Sequence, residues 1–306
     1  MPAFVDADSA LSEPDVREEV RRFYDSVGWQ RVGPGLFQNA RYEDLRPVSQ
    51  EYVQRCHRRV LRHLRPSGKY FLDAGSGPIQ YPEYLEYSAG YTRRLCVDLS
   101  VLALREARER IGSHGLFVVS DIAHLPLRSG VVDGAVSLHT FHHLPAGEQR
   151  RAFGEMARVL VPGAQAVVVY GWGRSAPIEA WTGLPTRWAS SLLRAYARWR
   201  GRGGVAMRAD KAAELPDARG THTFKHGYRW LKDNTRDLPE FDILVWRTVS
   251  TNFLRAFVHG FLLGRSWLRL LYWLEERAPH WFGRFGQYPL IVLRKPLAAI
   301  EPRRKG

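Results

Sequence analysis

Five apolar runs, each closing on a polar or turn residue, follow one another between positions 71 and 170. Phe71-Leu72 closes on Asp73, Arg94–Leu99 carries Asp98 near its end, and Gly115–Ile122 carries Asp121. Val132–Leu138 runs into His139, and Gln165–Tyr170 forms the fifth. Near-continuous apolar runs of this length predict strands buried on both faces. Helical patterns separate them at Tyr81–Tyr87, Ser100–Arg110 and Glu148–Leu160, the last stopped by Pro162-Gly163. This alternation predicts a parallel, doubly wound α/β sheet. Farther on, Phe241–Arg247 and Tyr288–Arg294 alternate as two more strands.

The chemistry gathers at the strand ends. Asp73-Ala74-Gly75-Ser76-Gly77-Pro78 is a glycine-rich turn, where glycine permits backbone angles and close ligand approach denied to other residues. A helix opening after it over Tyr81–Tyr87 would present free amides to a nucleotide-like cofactor. Asp98 follows Asp73 by 25 residues, near the interval at which a ribose-binding acid sits in nucleotide-binding βαβ units. Taken alone, Asp98 also reads as the N-cap of the helix from Ser100. Asp121 beside Ile122 suits adenine, the acid taking the exocyclic amine and the isoleucine packing on the ring. A nicotinamide-binding domain shares this sheet and the ribose acid. It prefers Gly-x-Gly-x-x-Gly, and Gln80 stands where the third glycine would be.

Over Lys69 to Trp172 the chain resembles a class I S-adenosylmethionine-dependent methyltransferase of the type 11 group, whose members act mostly on small molecules and lipids. The resemblance rests on Asp73-Ala74-Gly75-Ser76-Gly77, Asp98, Asp121-Ile122, Phe141-His142-His143-Leu144 and Arg158-Val159-Leu160-Val161-Pro162-Gly163. It departs at Pro78-Ile79, where a third glycine is common, and at Ala164, where a second glycine is usual. The resemblance implies S-adenosylmethionine as cofactor, bound by Asp73, Ala74, Gly75, Ser76, Gly77, Asp98, Leu99, Asp121, Ile122 and His139. It implies a Rossmann-like, seven-stranded sheet ending in an antiparallel strand 7, an N-terminal helical lid, and helical insertions after strand 5 and between strands 6 and 7. The expected division is 1–65 as cap, 66–173 as cofactor core, 174–240 as insertion and last core helix, and 241–306 as strands 6 and 7 with an inserted helical segment. In the cap, Arg22–Trp29 resembles the family's entry lid, with Tyr24 a candidate contact to the methionine end.

Methyl transfer asks the protein to align acceptor and methyl and to exclude water. A base helps when the acceptor is a hydroxyl or carbon acid. His143 and His139 are the candidate catalytic residues, with His142 beside them and His222 and His226 as second-rank candidates. The histidines and acids show no compact metal-ligand spacing, so no metal is expected.

Composition narrows the partners. Lys and Arg total 45 against 31 acids, a net charge of +14, which attracts nucleic acid, anionic membranes or acidic metabolites. Amino-directed nucleic-acid methyltransferases carry an Asn or Asp, two prolines and an aromatic after strand four; Leu138-His139-Thr140-Phe141 does not match. The expected acceptor is therefore a small-molecule, glycan-linked or lipid-like compound, with a nucleic-acid acceptor or a non-catalytic binding module as alternatives. Basic charge and large aromatics cluster in Arg187–Arg208 with Trp181, Trp188, Leu192, Tyr196 and Trp199, and again in Arg255–Arg294. The second cluster is expected as a helical stretch from Asn252 to about Glu276, followed by the aromatic loop Trp281–Gln287, with Phe253, Phe257, Phe261, Leu268, Leu271 and Leu274 on one face and Arg255, His259, Arg269 and Glu276 opposite. Such helices cap a sheet and shape a substrate lid, or lie in a membrane interface. Two cysteines, a polar Met1–Glu19 and no long uncharged apolar stretch point to a reducing cytoplasm, with contact at the inner face of the membrane as the alternative site of action.

Overall fold

A computed structural model describes residues 13–33, 35–173, 177–178, 182–189, 191, 221–239 and 241–297. The chain opens with helix α1 (Glu13–Phe23), one wider helical turn to Gly28, and the ribbon β1 (Arg31–Gly33) and β2 (Leu36–Phe37). Helix α2 (Gln50–Arg58) leads into β3 (Gly68–Ala74), α3 (Glu83–Glu86), β4 (Tyr91–Asp98) and α4 (Val101–Ile111). Next come β5 (Gly115–Val119), β6 (Val132–Leu138), α5 (Ala146–Val159), β7 (Leu160–Val169) and α6 (Tyr228–Asn234). The chain closes with β8 (Phe241–Arg247), α7 (Thr251–Phe257), α8 (Gly264–Arg277), α9 (Pro279–Phe285) and β9 (Tyr288–Arg294).

Seven strands form one sheet in the order β5-β4-β3-β6-β7-β9-β8. Strands β3 to β7 pair in parallel, and β9 runs antiparallel to both neighbours. This is the Rossmann-like sheet with an antiparallel last strand that the family resemblance implies. Alternate residues feed two cores: Leu72, Ala74 and Val97 face α5 and α6, while Phe71, Cys96 and Val136 face α2, α4, α7 and α8. Burial on both faces is why the strands read as unbroken apolar runs. Strand order reverses between β3 and β6, so the loops after those two strands flank the crevice where doubly wound sheets bind ligands.

Five features differ from the sequence pattern. The third strand stops at Val119, leaving Asp121 and Ile122 in a loop where the Asp121 carboxylate accepts from its own Ala123 amide at 2.9 Å. The fifth strand starts at Leu160, because Pro162-Gly163 is absorbed as an irregularity in the pairing with β6. The expected helix over Tyr81–Tyr87 shrinks to one turn, with Tyr84 and Leu85 bonding back only three residues. The continuous helix expected over Asn252–Glu276 breaks between α7 and α8, where Gly260 and a left-handed Leu263 turn the chain. The aromatic loop Trp281–Gln287 is mostly helix α9, started by Pro279 at its first turn.

Of the first basic cluster, residues 182–189 are helical with Arg187 and Trp188 exposed; Trp181, Leu192, Tyr196 and Trp199 lie outside the described residues. Among the described residues, no helix is long and apolar enough to cross a membrane.

Candidate active site

The glycine turn is shaped by its neighbours. Gly75 and Gly77 take left-handed angles, φ +75° and +51°, and a Cβ at Gly75 would come within 2.3 Å of the Thr140 hydroxyl. Gly75 and Ser76 donate to the Val97 carbonyl at 2.7 and 3.1 Å, which ties the turn to the end of β4. Asp98 then reaches across it, accepting from the Gly77 amide at 2.8 Å and from the Ser100 amide at 2.9 Å. Ser100, not Asp98, caps α4, accepting from the Ala103 amide at 3.0 Å. Burial pushes the Asp98 carboxyl up to about 6, against the pull of those two amides.

Two chambers meet over this turn. The smaller, about 130 Å³, is lined by Gly75, Asp98, Leu99, Asp121, Ile122 and His139. The larger, about 510 Å³, is lined by Asp73, Gly75, Ser76, Gly77, His139 and His143. Tyr24, Trp29, Asn39, Gly75, Leu138, His139 and His143 border both, so the two spaces adjoin. All but one of the predicted cofactor-binding and first-rank catalytic residues thereby line one chamber or the other. The exception is Ala74, fully buried under the turn and lining neither chamber; its carbonyl accepts from Ser137 at 2.6 Å. Asp73 is an ion-paired residue: fully buried Arg94 takes its Oδ2 at 2.5 Å and also donates to the Tyr84 carbonyl at 2.6 Å. Asp121 is held by Arg17 at 3.0 Å, and Arg17 also reaches Glu148 at 2.7 Å.

Three histidines stand past β6. His139 has a left-handed backbone, φ 56°, which is costly outside glycine and marks a position held by its surroundings. Its ring sits edge-on to Trp246 at 4.8 Å, and burial together with the Arg247 charge lowers its pKa to about 3. His143 lies between the Tyr24 hydroxyl and the His222 carbonyl, both at 2.9 Å. A carbonyl only accepts, so Nδ1 carries the proton and Nε2 accepts from Tyr24. Burial lowers His143 to about 4 and raises Tyr24 well above its ordinary value. His142 is buried, driven well below its usual range by burial, and its Nδ1 has no partner. Of the second-rank candidates, His222 offers its carbonyl to His143, and His226 stacks on Trp230 at 3.8 Å; neither ring lines the chambers.

The remaining lining of the larger chamber had no motif in the sequence. Asn39, Tyr42 and Glu43 come from the cap, Lys225 precedes α6, and Arg247, Arg255 and Tyr288 come from the last strands and α7. Glu43 and Arg247 form a buried ion pair; burial pushes Glu43 up, and the guanidinium overrides it and holds the carboxyl below its ordinary range. Although no compact spacing marks them in the sequence, Asp121, His124 and Glu148 come within 4.8 Å of one another in a grouping that could hold a metal. The Arg17 guanidinium already bridges its two carboxylates.

A family model described as a methyltransferase domain, type 11, matches residues 72–168, the span from β3 to β7 that carries the turn and all three acids. Residues 72–168 are a methyltransferase domain of that family. The Geobacter sulfurreducens malonyl-[acyl-carrier protein] O-methyltransferase is 41% identical over 88 residues, 28% of this chain and 32% of that protein. The Mus musculus tRNA (carboxymethyluridine(34)-5-O)-methyltransferase ALKBH8 is 41% identical over 120 residues, 37% of this chain and 16% of that protein. The chain thus spans a third or less of these relatives' lengths. In fold, a chain of the complex containing the Haloferax volcanii Trm112 methyltransferase activator aligns with 92% of this chain and 100% of its own, at a TM-score of 0.51 and 15% identity. The methyltransferase domain takes S-adenosylmethionine as its cofactor, and the residues fit that group. The turn carries no side chain of its own at Gly75 and Gly77, two carboxylates, Asp98 and Asp121, lie on the smaller chamber's wall, and that chamber adjoins a second space.

Proposed function

We propose that this chain methylates a small-molecule, glycan-linked or lipid-like acceptor bearing an acidic group, held in the larger chamber. The observation that carries this reading is that the two chambers adjoin at Gly75, His139 and His143, one walled by Asp98 and Asp121 and the other by a separate polar set. S-adenosylmethionine supplies an electrophilic methyl group when bound. Asp98 accepts from its ribose hydroxyls, Asp121 and Ile122 with Leu99 take the adenine end, and Asp73, Ser76 and Gly77 face the methionine end. Arg94 occupies only Oδ2 of Asp73, which leaves Oδ1 for the cofactor's amino group. The four-part division at 65, 173 and 240 belongs to the same reading, with α1 and Tyr24 as the cap over the site.

The acidic acceptor follows from charge and basicity. Glu43 with Arg247, and Asp73 with Arg94, cancel as buried pairs, and Arg255, which donates to backbone carbonyls, then adds positive charge to the larger chamber. Four of its lining residues also carry a buried polar atom without a partner among the described residues: Trp29 Nε1, His142 Nδ1, Arg247 Nε and Gln287 Oε1. Such atoms call for a ligand. His139 and His143, with pKa values of about 3 and 4, are weak bases and serve to position and to exclude water. A carboxylate is already ionised at neutral pH, so its oxygen accepts the methyl group with no proton to remove. The two relatives' names specify acceptors built on a malonyl and a carboxymethyl group, each bearing a carboxyl function.

The test is transfer of labelled methyl from S-adenosylmethionine to a panel of fatty acids, acidic lipids, acidic sugars and transfer RNA. Label in an acidic small molecule or lipid, lost when the acid is capped as an amide, supports the reading. Label confined to transfer RNA would replace it with a nucleic-acid acceptor.

A further inference from the structure

Helix α8 is apolar on two opposite faces. Leu268 and Tyr272 are buried against the sheet side, joined by Glu275, which accepts from Arg59 at 2.8 Å and from the Tyr52 hydroxyl at 2.7 Å. Leu263, Trp267, Leu270 and Leu274, spaced i, i+4, i+7 and i+11, point outward, with Leu263 71% and Trp267 63% exposed. Phe261 just before the helix is 82% exposed, and Trp273 and Trp281 are half exposed. The face expected from the sequence is thus divided, since the break before α8 leaves Phe261 and Leu274 in solvent and Leu268 inside. The stripe expected to be solvated is instead engaged with the cap. Arg255 donates to the Glu43 carbonyl at 3.0 Å, Arg269 meets Glu51 at 2.9 Å, and Glu276 meets Arg59 at 2.9 Å.

A surface helix with a packed apolar face should be polar on the other. A contiguous exposed apolar face marks an interaction site. Its charge identifies the partner. Between positions 251 and 285 the chain has five arginines, at 255, 265, 269, 277 and 284, and two acids, Glu275 and Glu276. Glu275 is fully buried, Glu276 is held by Arg59 and Arg62, Arg269 by Glu51 and Arg255 by the cap, so the exposed charge that the segment presents is that of Arg265, Arg277 and Arg284. Arg277 lies over the Trp273 ring, 4.9 Å from its centroid. Tryptophan and leucine flanked by arginine is the composition that settles at the boundary between headgroups and acyl chains.

We propose that the outward face of α8, with Phe261, Leu263, Trp267, Leu270, Trp273 and Leu274, docks this protein on the surface of an anionic bilayer. A second copy fits less well, because symmetric pairing of this face would set arginines against arginines. The buried bonds of Glu275 hold α8 rigidly to the body, so the face is presented without a folding step. The same insertion lines the larger chamber through Asn252 and Arg255, which sets that chamber beside the docking segment.

The test is flotation of the full chain with phosphatidylcholine vesicles, with and without phosphatidylglycerol, at low and high salt. The proposal expects flotation with the anionic vesicles, reversal by salt, and little binding to phosphatidylcholine alone. Trp267→Glu with Trp273→Glu should cut partitioning on the order of ten-fold or more, and Arg265→Glu with Arg277→Glu on the order of ten-fold. All four side chains are exposed, so thermal melting should stay unchanged. A wild type that stays unbound at low salt, or a tryptophan pair variant that binds as well as wild type, would overturn the proposal. A concentration-dependent dimer abolished by the same tryptophan changes would assign the face to a second copy instead.

Discussion

The two chambers are built in different ways. The smaller has one wall of residues at the ends of successive parallel strands, where sheet pairing sets Asp98 beside Val119, under a cover of Arg17, Val20 and Tyr24 from the cap. The larger is closed by side chains from remote parts of the chain, where Glu43 meets Arg247 across 204 positions. A cofactor site supplied by strand ends comes with the fold, whereas an acceptor site supplied by cap and insertions can vary while the sheet stays fixed.

Four measurements would break or sharpen this contrast. The largest effect is expected from Glu43→Ala, which leaves the Arg247 guanidinium buried without its carboxylate. Chemical denaturation should show a loss of about 3–5 kcal/mol. If Glu43→Ala unfolds like wild type, the ion pair does not hold the acceptor wall. Asp98→Ala should lower S-adenosylmethionine affinity on the order of ten-fold or more, since charge-assisted bonds to the ribose are lost, while the larger chamber is untouched. Unchanged affinity would remove Asp98 from the cofactor site.

The third measurement uses pH. With its carboxyl raised to about 6, Asp98 is charged above that pH and neutral below it. The charged form accepts ribose hydroxyls better, so cofactor affinity should be level above pH 6 and weaken as pH falls through it, by up to about ten-fold per unit. Affinity that rises on acidification would contradict the assignment. The smallest effect belongs to Tyr24→Phe, which takes one hydrogen bond from neutral His143 and should slow turnover by a few fold, about 0.5–1.5 kcal/mol. A loss of several orders of magnitude would instead make the Tyr24–His143 pair a proton relay that turnover depends on.

The contrast also explains what could be read from the sequence. β6, β8 and β9 have the limits that their apolar runs predict, and Gly75, Gly77, Asp98 and Asp121 come together because each follows a strand of one sheet. The Asn252–Glu276 helix could not be placed from periodicity, because Gly260 and the left-handed Leu263 rotate one half against the other. The Arg17 bridge to Asp121 and Glu148 and the Glu43–Arg247 pair leave no local pattern, since each joins segments that meet only in the folded chain. The low basicity of His139 and His143 was equally hidden, because burial by Trp246, Tyr288 and Tyr24 sets it.

The most direct test of the account is calorimetric titration of the full chain and of Asp98→Ala with S-adenosylmethionine, S-adenosylhomocysteine and NAD. The account predicts micromolar binding of the first two to the wild type, on the order of ten-fold weaker binding to the variant, and no heat from NAD. Binding of NAD alone, or equal affinity of the two proteins for S-adenosylmethionine, would contradict it.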